Sequence, residues 1–466
     1  MQKLPPSIVL RSAIFLVIGS ILGSGVFKKV AMMSATLQSP GWVLVCWVLA
    51  GLVSLAGALC TAEMCSLFPS SGGEYFYFQK VYNRFFAYIY GWANFAVVKT
   101  ASIAALAYIF AESFNSIVPL PEWSLLPGKG GVPGIDNIAV KLLASSLIIV
   151  LSYINYRGIR HAEKLGNFMT VLMLSAAAVI VIAGLSSSSG TLAHLTTPAL
   201  HAGGGMKGWT LIKAITIASL GAFWAYEGWN CVGFIGEEMK NPKKNLPLAL
   251  GIGTLVIILV YLLLNIVYLY VLPIDALIKV SATHNQIAAV EVMKVIWGKP
   301  GALFISLLIL VTTCNATNAT ILTSARVFYA MARDKLFFRQ AATVHPVYQT
   351  PSVSIGLQAF WSVILVWSGT FDQLTDMLIF SAFIFYGASA LAVFIMRKRA
   401  PSLPRVYKVI GYPWLPFLFC LFCLLLIGVT LVDQPREALS GLGLIATGIP
   451  FYWYWTKKNP GTDPGK

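Results

Sequence analysis

The sequence predicts an all-α integral membrane protein of twelve transmembrane helices. The 466 residues are 58% hydrophobic and only 11% charged, whereas ordinary soluble domains carry about 25% charge. Apolar runs of about 20 residues, the length that crosses a bilayer as a helix, recur along the whole chain. Two of these runs are interrupted by residues unsuited to a lipid-facing helix. Gly19-Ser20-Ile21-Leu22-Gly23-Ser24-Gly25 holds three glycines and two serines, and Trp224-Ala225-Tyr226-Glu227-Gly228-Trp229-Asn230 holds a carboxylate, a glycine and an asparagine.

The spans are expected near 12–34, 41–67, 85–116, 138–156, 162–185, 210–236, 247–272, 300–331, 353–370, 375–397, 413–432 and 438–456. Met1 to Arg11 is short, contains Pro5-Pro6 and leads directly into the first span, so no cleaved leader is expected. An even number of spans puts both termini on one side. With the N-terminus inside, the inner segments hold 22 of the 33 Lys+Arg and the outer segments ten, with Lys99 inside a span. Lys/Arg bias marks the cytoplasmic side, so the protein is expected in the cell (inner) membrane with both ends cytoplasmic. The net charge of +16 is then a topology signal spread over the inner segments, and no nucleic-acid partner is expected.

The polar connections are short. The longest, 117–137 and 186–209, are rich in Gly, Pro or Ser, and 273–296 has room for a short amphipathic surface helix. The tail from Asn459 onward is polar and expected to be disordered. No soluble domain fits, and the chain reads as a single transmembrane domain over 1–466. Seven cysteines fall in or at the ends of spans and imply no disulfide framework. His161, His194, His201, His284 and His345 do not cluster, so no metal site is expected. No Walker glycine-lysine loop occurs, and no cofactor is expected. Paired aspartates, a Ser–His pair and a His–Glu metal motif are also missing, which argues against an enzyme.

The two interruptions carry the functional reading. Each Gly costs about 1 kcal/mol against Ala in a helix interior, and unpaired backbone in hydrocarbon costs several kcal/mol per group. Non-helical backbone at that depth survives where it lines a protein or water cavity. A charge at mid-membrane marks a functional interior by default. The breaks lie in spans 1 and 6, five spans apart, which is the pattern of an inverted five-helix repeat with a substrate held between two discontinuous helices. Helices 1–5 (12–185) form the first repeat, helices 6–10 (210–397) the inverted one, and helices 11–12 (413–456) lie outside it.

These segments resemble signatures of the amino acid–polyamine–organocation superfamily. Gly19 to Phe27 resembles its first-helix motif. Trp224 to Asn230, with Glu237-Glu238-Met239-Lys240-Asn241-Pro242 and Pro247, resembles its sixth-helix motif. Ala325 to Asp334, Pro69 to Tyr75 and Gly411-Tyr412-Pro413 also fit, in order, over nearly the full chain. The L-type amino-acid transporter branch is the most similar, in a prokaryotic-like form. The resemblance implies a LeuT-type fold with broken helices 1 and 6, and amino-acid transport, often by exchange. Animal members of that branch tether a heavy chain through a Cys in the loop after span 3. Loop 117–137 has none here, so no disulfide-linked heavy chain is expected.

An amino acid is a zwitterion, and its site must replace water around both charges. Free N–H groups of Ser24, Gly25 and Val26 and the Ser24 hydroxyl suit the carboxylate, because helix N-termini favour anions. Small-residue helix packing is the alternative use of these glycines. For the ammonium, the resemblance suggests unwound carbonyls at Ile21, Trp224, Ala225 and Glu227. The Glu227 side chain leaves three roles open: contact with the amine, carriage of a coupled proton, or a bridge elsewhere in the bundle. Trp224 matches the family's aromatic gate, against the plainer reading of a core aromatic. Asn230 either supports the substrate or braces the broken helix. Asn318 suits a bundle hydrogen bond. Lys99 could meet an acidic substrate side chain, pair with an internal carboxylate or snorkel; it marks possible specificity or coupling, as does Glu227. Many exchangers of the branch have a Lys in span 5 in place of the sodium bound by coupled relatives; the matching position here is Met173. Sodium or proton coupling therefore stays open. The reading is a secondary amino-acid transporter, an exchanger of neutral amino acids by alternating access. The alternatives are proton- or sodium-coupled uptake, a carrier of amines, and an amino-acid-sensing receptor.

Overall fold

The computed structural model describes residues 7–121, 123, 137–200, 206–282, 287–368 and 371–458. The tail from Asn459, His201, His284 and most of loop 117–137 lie outside them. The described residues are helical almost throughout. In chain order the helices are α1 (Leu10–Ile21), α2 (Gly25–Leu37), α3 (Pro40–Leu67), α4 (Glu74–Val81), α5 (Arg84–Ala93), α6 (Lys99–Ile117), α7 (Ile138–Tyr156), α8 (Ile159–Leu185), α9 (Leu192–Thr196) and α10 (Gly208–Tyr226). They continue as α11 (Pro242–Val271), α12 (Ile274–Ala282), α13 (Ala288–Trp297), α14 (Lys299–Arg333), α15 (Ser352–Ser368), α16 (Phe371–Arg399), α17 (Trp414–Asp433), α18 (Pro435–Ala446) and α19 (Gly448–Lys458).

Among the described residues, ten helical segments are long and apolar enough to cross a membrane, so the chain is a multi-pass membrane protein. The segment expected at 353–370 is the 17-residue α15. The segment expected at 438–456 is two helices, α18 and α19, that meet at Thr447. Stretch 273–296 carries two short helices, α12 and α13, each with a charged residue in its first and last turns. Helix starts follow local chemistry. Pro40 and Pro242 open α3 and α11 at a position where no N–H is needed. The Asn83 side chain accepts a hydrogen bond from Phe86 N at 2.8 Å and caps α5.

Three irregularities position the centre of the molecule. The first helix breaks after Ile21, where Leu22 leaves helical geometry and Gly23 N turns back on Ile21 O at 2.7 Å before α2 begins at Gly25. The sixth span breaks after Tyr226, where Glu227 is extended and Gly228 has φ +111°, followed by a 3₁₀ turn over Trp229–Phe234. A Cβ on Gly228 would sit 2.6 Å from Ser20 O, so glycine serves both the left-handed backbone and the close approach of the two breaks. The third irregularity is a π-helical turn, Asn94–Val98, between α5 and α6. Thr100 Oγ1 donates to Phe95 O at 2.7 Å beside it. Such turns favour functional sites, and this one ends at Lys99.

Around this centre α1 packs on α11, α8 and α14, α2 on α10, and α6 on α14, α7, α15 and α16. Phe168, Ile182 and Leu424 are each at least two-thirds exposed. Apolar side chains so placed suit lipid contact and would be a liability in water. At one end of the bundle the chain before α1 closes over the sixth-span segment: Ile8 bridges Met239, and Ser7 N and Ile8 N donate to Glu238 O at 2.8 and 2.9 Å.

The α1–α11 contact is tight enough to test. A Cβ on Gly253 would lie 2.6 Å from Val17 Cγ1, so Gly253→Leu is expected to destabilise the bundle by about 1–3 kcal/mol. Gly356, exposed on α15 with nothing within 4 Å of an added Cβ, is the control, and Gly356→Ala should leave stability unchanged or slightly raised. Thermal unfolding in detergent compares the two.

Candidate functional site

A narrow cavity opens between the two breaks. Ser20, Ile21, Gly23, Ser24 and Gly25 line it from the first helix, and Trp224, Ala225, Glu227 and Gly228 from the sixth. Lys99, Ser102 and Leu106 of α6 and Thr320 of α14 complete the wall. Of the residues expected from sequence, Ile21, Ser24, Gly25, Trp224, Ala225, Glu227 and Lys99 therefore come together. Val26 and Asn230 do not reach the wall. Val26 lies wholly in the packed core, because helical rotation after Gly25 turns it away. Asn230 sits behind the cavity, one 3₁₀ turn past Glu227.

The cavity wall offers donors. Among the described residues, the N–H groups of Ser24, Gly25 and Val26 donate to no backbone carbonyl, as expected of a helix start. The Ser24 hydroxyl is buried without a hydrogen-bond partner. The wall also offers acceptors held in place. The Tyr261 hydroxyl lies 2.7 Å from Ile21 O and 2.9 Å from Ala225 O. Its single proton serves one carbonyl at a time; Ala225 O keeps a lone pair, while Ile21 O also accepts from Gly23 N at 2.7 Å. Ser20 Oγ lies 3.1 Å from Gly228 O and ties the breaks together again.

The floor is a buried polar chain. Lys99 Nζ meets Glu227 Oε1 at 2.8 Å, with both side chains at most 5% exposed. Tyr386 OH donates to Glu227 Oε2 at 2.6 Å, so both carboxylate oxygens are engaged. Lys99 also donates to Asn230 Oδ1 at 3.2 Å, and Asn230 Nδ2 donates to Glu74 Oε1 at 2.9 Å. The ring of Phe234 lies 5.5 Å from Lys99 Nζ. Burial pushes the Glu74 carboxyl up to about 7; the Asn230 hydrogen bond, its own helix-start N–H and the Lys99 charge pull it back. Lys99 thus pairs with an internal carboxylate, Glu227 bridges Lys99 and Tyr386, and Asn230 links Lys99 to Glu74.

A second cavity of about 370 Å³ lies between α1, α8 and α14. Asn315 Nδ2 reaches Thr170 Oγ1 at 3.2 Å and Met173 Sδ at 3.4 Å, and Thr170 Oγ1 lies 3.3 Å from Phe15 O. Asn315 Oδ1 is buried without a hydrogen-bond partner. Asn318 accepts from Asn155 at 2.9 Å, a bond between α7 and α14.

The acids beside the second break and at the end of α3 pair with arginines and a serine. Arg326 binds Glu238 bidentately at 2.9 and 3.2 Å in full burial. Ser71 Oγ donates to Glu237 Oε2 at 2.8 Å, and Glu63 pairs with Arg397 at 2.7 Å and Arg405 at 3.5 Å. Arginine's planar fork suits buried carboxylates better than lysine's point charge. Tyr261, Tyr386 and the proximity of Glu74 to Asn230 also went unread. A Tyr in an apolar helix carries no signal, and Glu74 and Asn230 are 156 positions apart.

The sequence matches the amino acid permease family over residues 8–454. The chain belongs to that family. Among curated relatives, the permease is 30% identical over 457 residues to the serine/threonine exchanger SteT of Bacillus subtilis, covering 98% of each chain. It is 30% identical over 446 residues to the human b(0,+)-type amino acid transporter 1, covering 95% of this chain and 86% of the relative. The human large neutral amino acids transporter small subunit 2 is 25% identical over 468 residues, covering 98% and 82%. The family and these relatives are transporters, not enzymes.

Lys99→Met would leave the Glu227 carboxylate buried without its cation, and a stability loss of about 3–5 kcal/mol is expected. The double variant Lys99→Met/Glu227→Gln should recover much of it. Thermal unfolding in detergent reads both; a double variant no better than the single one would place the loss outside the ion pair.

Proposed function

We propose that this permease is a secondary amino-acid transporter that exchanges neutral amino acids by alternating access. The observation that supports the reading is the cavity between two helix breaks, whose wall carries free N–H donors of Ser24 and Gly25 together with the carbonyls of Ile21 and Ala225. A zwitterion fits that polarity: carboxylate on the donors, ammonium on the acceptors. Lys99 and Glu227 cancel in the floor, which favours a substrate with no net side-chain charge. The similarity to exchangers and amino-acid transporters supports the same substrate class.

The architecture proposed with this function has twelve crossings, with α15 and the α18–α19 pair as the ninth and twelfth. Helices within 12–185 and 210–397 form two inverted five-helix halves of LeuT type, with 413–456 beside them. Lys/Arg bias supports both termini on the cytoplasmic side of the cell membrane. In that orientation the Ile8–Met239 and Arg326–Glu238 contacts close the inner end. Trp224, on the cavity wall, acts as the gate from outside. Loop 117–137 has no Cys, and the permease works without a disulfide-linked heavy chain.

A second reading, cation-coupled uptake, draws on the second cavity. Met173 brings no charge there, and the Asn315 Oδ1, Thr170 Oγ1 and Phe15 O oxygens suit a small monovalent cation. Uptake into proteoliposomes with and without internal amino acid, and with and without Na⁺, separates the readings. Exchange predicts at least a tenfold dependence on internal amino acid and none on Na⁺ (about 1.4 kcal/mol per tenfold). Strict Na⁺ dependence that is lost in Asn315→Ala would favour the second reading.

Two further outcomes are expected of the exchanger. Decarboxylated analogues should not compete, because they leave the Ser24–Gly25 donors unpaired. Trp224→Ala should lower the exchange rate more than equilibrium binding; equal losses, or none, would remove the gate.

A further inference from the structure

The floor of the cavity holds one cation and two carboxyl groups in a single hydrogen-bonded line, Glu227–Lys99–Asn230–Glu74. Lys99 touches Glu227 directly but reaches Glu74 only through the Asn230 amide. Glu74 is 1% exposed, and its Oε2 has no hydrogen-bond partner within bonding geometry. If both acids were ionised, the line would carry an uncompensated negative charge in a buried place, and such a group takes up a proton instead.

We propose that Glu74 is a proton-binding site of this permease, whose occupancy sets the Lys99–Glu227 pairing beneath the substrate cavity. With its proton, Glu74 uses Oε1 only as acceptor for Asn230 Nδ2. Asn230 Oδ1 then faces Lys99, and Lys99 stays on Glu227. When the proton leaves to water, Glu74 becomes a second anion competing for Lys99. The pull on Lys99 loosens Glu227, which lines the cavity. The inference rests on the transport reading above for its consequence, though not for the proton site itself.

Among the described residues, the neighbours of Glu74 supply no other countercharge. Lys99 of α6 is the cation that acts on it, at a distance. Cys65 of α3, Tyr77 of its own helix, Tyr90 of α5, Cys231 of the 3₁₀ turn and Tyr386 of α16 face it with neutral groups. From α14, Arg326 is engaged by Glu238, and Asp334 by Tyr75 and Gln79. The Tyr90 hydroxyl, itself buried without a partner within bonding geometry, lies beside the Glu74 carboxyl. Burial is the dominant cause that raises this carboxyl to about 7.

The sign follows. A carboxyl held protonated in the fold but free to ionise when unfolded makes the fold less stable as pH rises from about 4.5, its ordinary value, to about 7. The wild-type protein in detergent should therefore show a melting temperature that falls over that range, and Glu74→Gln should flatten the fall. In proteoliposomes, wild-type exchange should change at least threefold between about pH 5 and about pH 9, with Glu74→Gln pH-insensitive and Glu74→Asp still sensitive. Infrared difference spectra of the wild type over the same range should show a protonated-carboxyl band disappearing, a measurement that needs no variant to fold. A pH profile unchanged in Glu74→Gln, or no titrating carboxyl band, overturns the proposal. Loss of the band in Glu74→Gln with no amino-acid exchange in any protein would keep the proton site and overturn the transport reading.

Discussion

Backbone that leaves helical geometry in the middle of a membrane must find partners inside the protein, because lipid offers none. The rest of the structure follows from meeting that constraint twice at one place. The break after Ile21 and the break after Tyr226 face each other, and each supplies part of what the other lacks. Ser20 Oγ reaches Gly228 O, and Tyr261 reaches carbonyls on both sides. The donors at Ser24 and Gly25 and the second lone pair of Ala225 O remain, and these residual groups define the cavity's chemistry. In the proposed function a zwitterion completes the hydrogen bonding that the protein leaves open.

The sequence made the breaks legible because they use residues with a distinct physical signature. Glycines and serines inside an apolar run, and a carboxylate at mid-span, are costly enough to demand a reason. Lys99 was visible for the same reason, but its partner was not. Glu227 lies 128 positions away, and charge alone left substrate, carboxylate and snorkelling readings standing. The π turn over Asn94–Val98 left no signal, since its residues suit an α-helix equally well. Tyr261 and Tyr386 were hidden among 19 tyrosines, where only three-dimensional placement separates a positioning hydroxyl from a packing ring. Asn230, open in the sequence between supporting a substrate and bracing the broken helix, lies off the cavity wall, because a 3₁₀ turn advances more sharply per residue than the α-helix that spacing assumes.

The closed end of the bundle shows the same reliance on distant pairing. Glu238 accepts from the chain before α1 through its carbonyl and from Arg326 of α14 through its carboxylate. One residue therefore couples the start of the first helix, the end of the sixth-span segment and the eighth span. Removing a partner of such a buried pair strands a charge, which opposes separating any one of the three elements alone. In the proposed function that suits a barrier that alternates between shut and open.

Between that end and the cavity lies the buried line from Glu227 to Glu74. Its charge count constrains what the site can accept. While Lys99 and Glu227 cancel, the cavity floor presents no net charge, and a substrate side chain bearing one would have to be desolvated without a counterion. The desolvation penalty of a lone buried ion is several kcal/mol, far more than one added hydrogen bond returns. Neutral side chains escape that penalty. The same count explains why the ion pair belongs in the floor although an apolar floor would be simpler to fold: a pair can be pulled apart by a third charge, and a Leu–Leu contact cannot. On the proposed function, selectivity and responsiveness come from one arrangement, in which Asn230 keeps Glu74 within reach of Lys99 but not in contact with it.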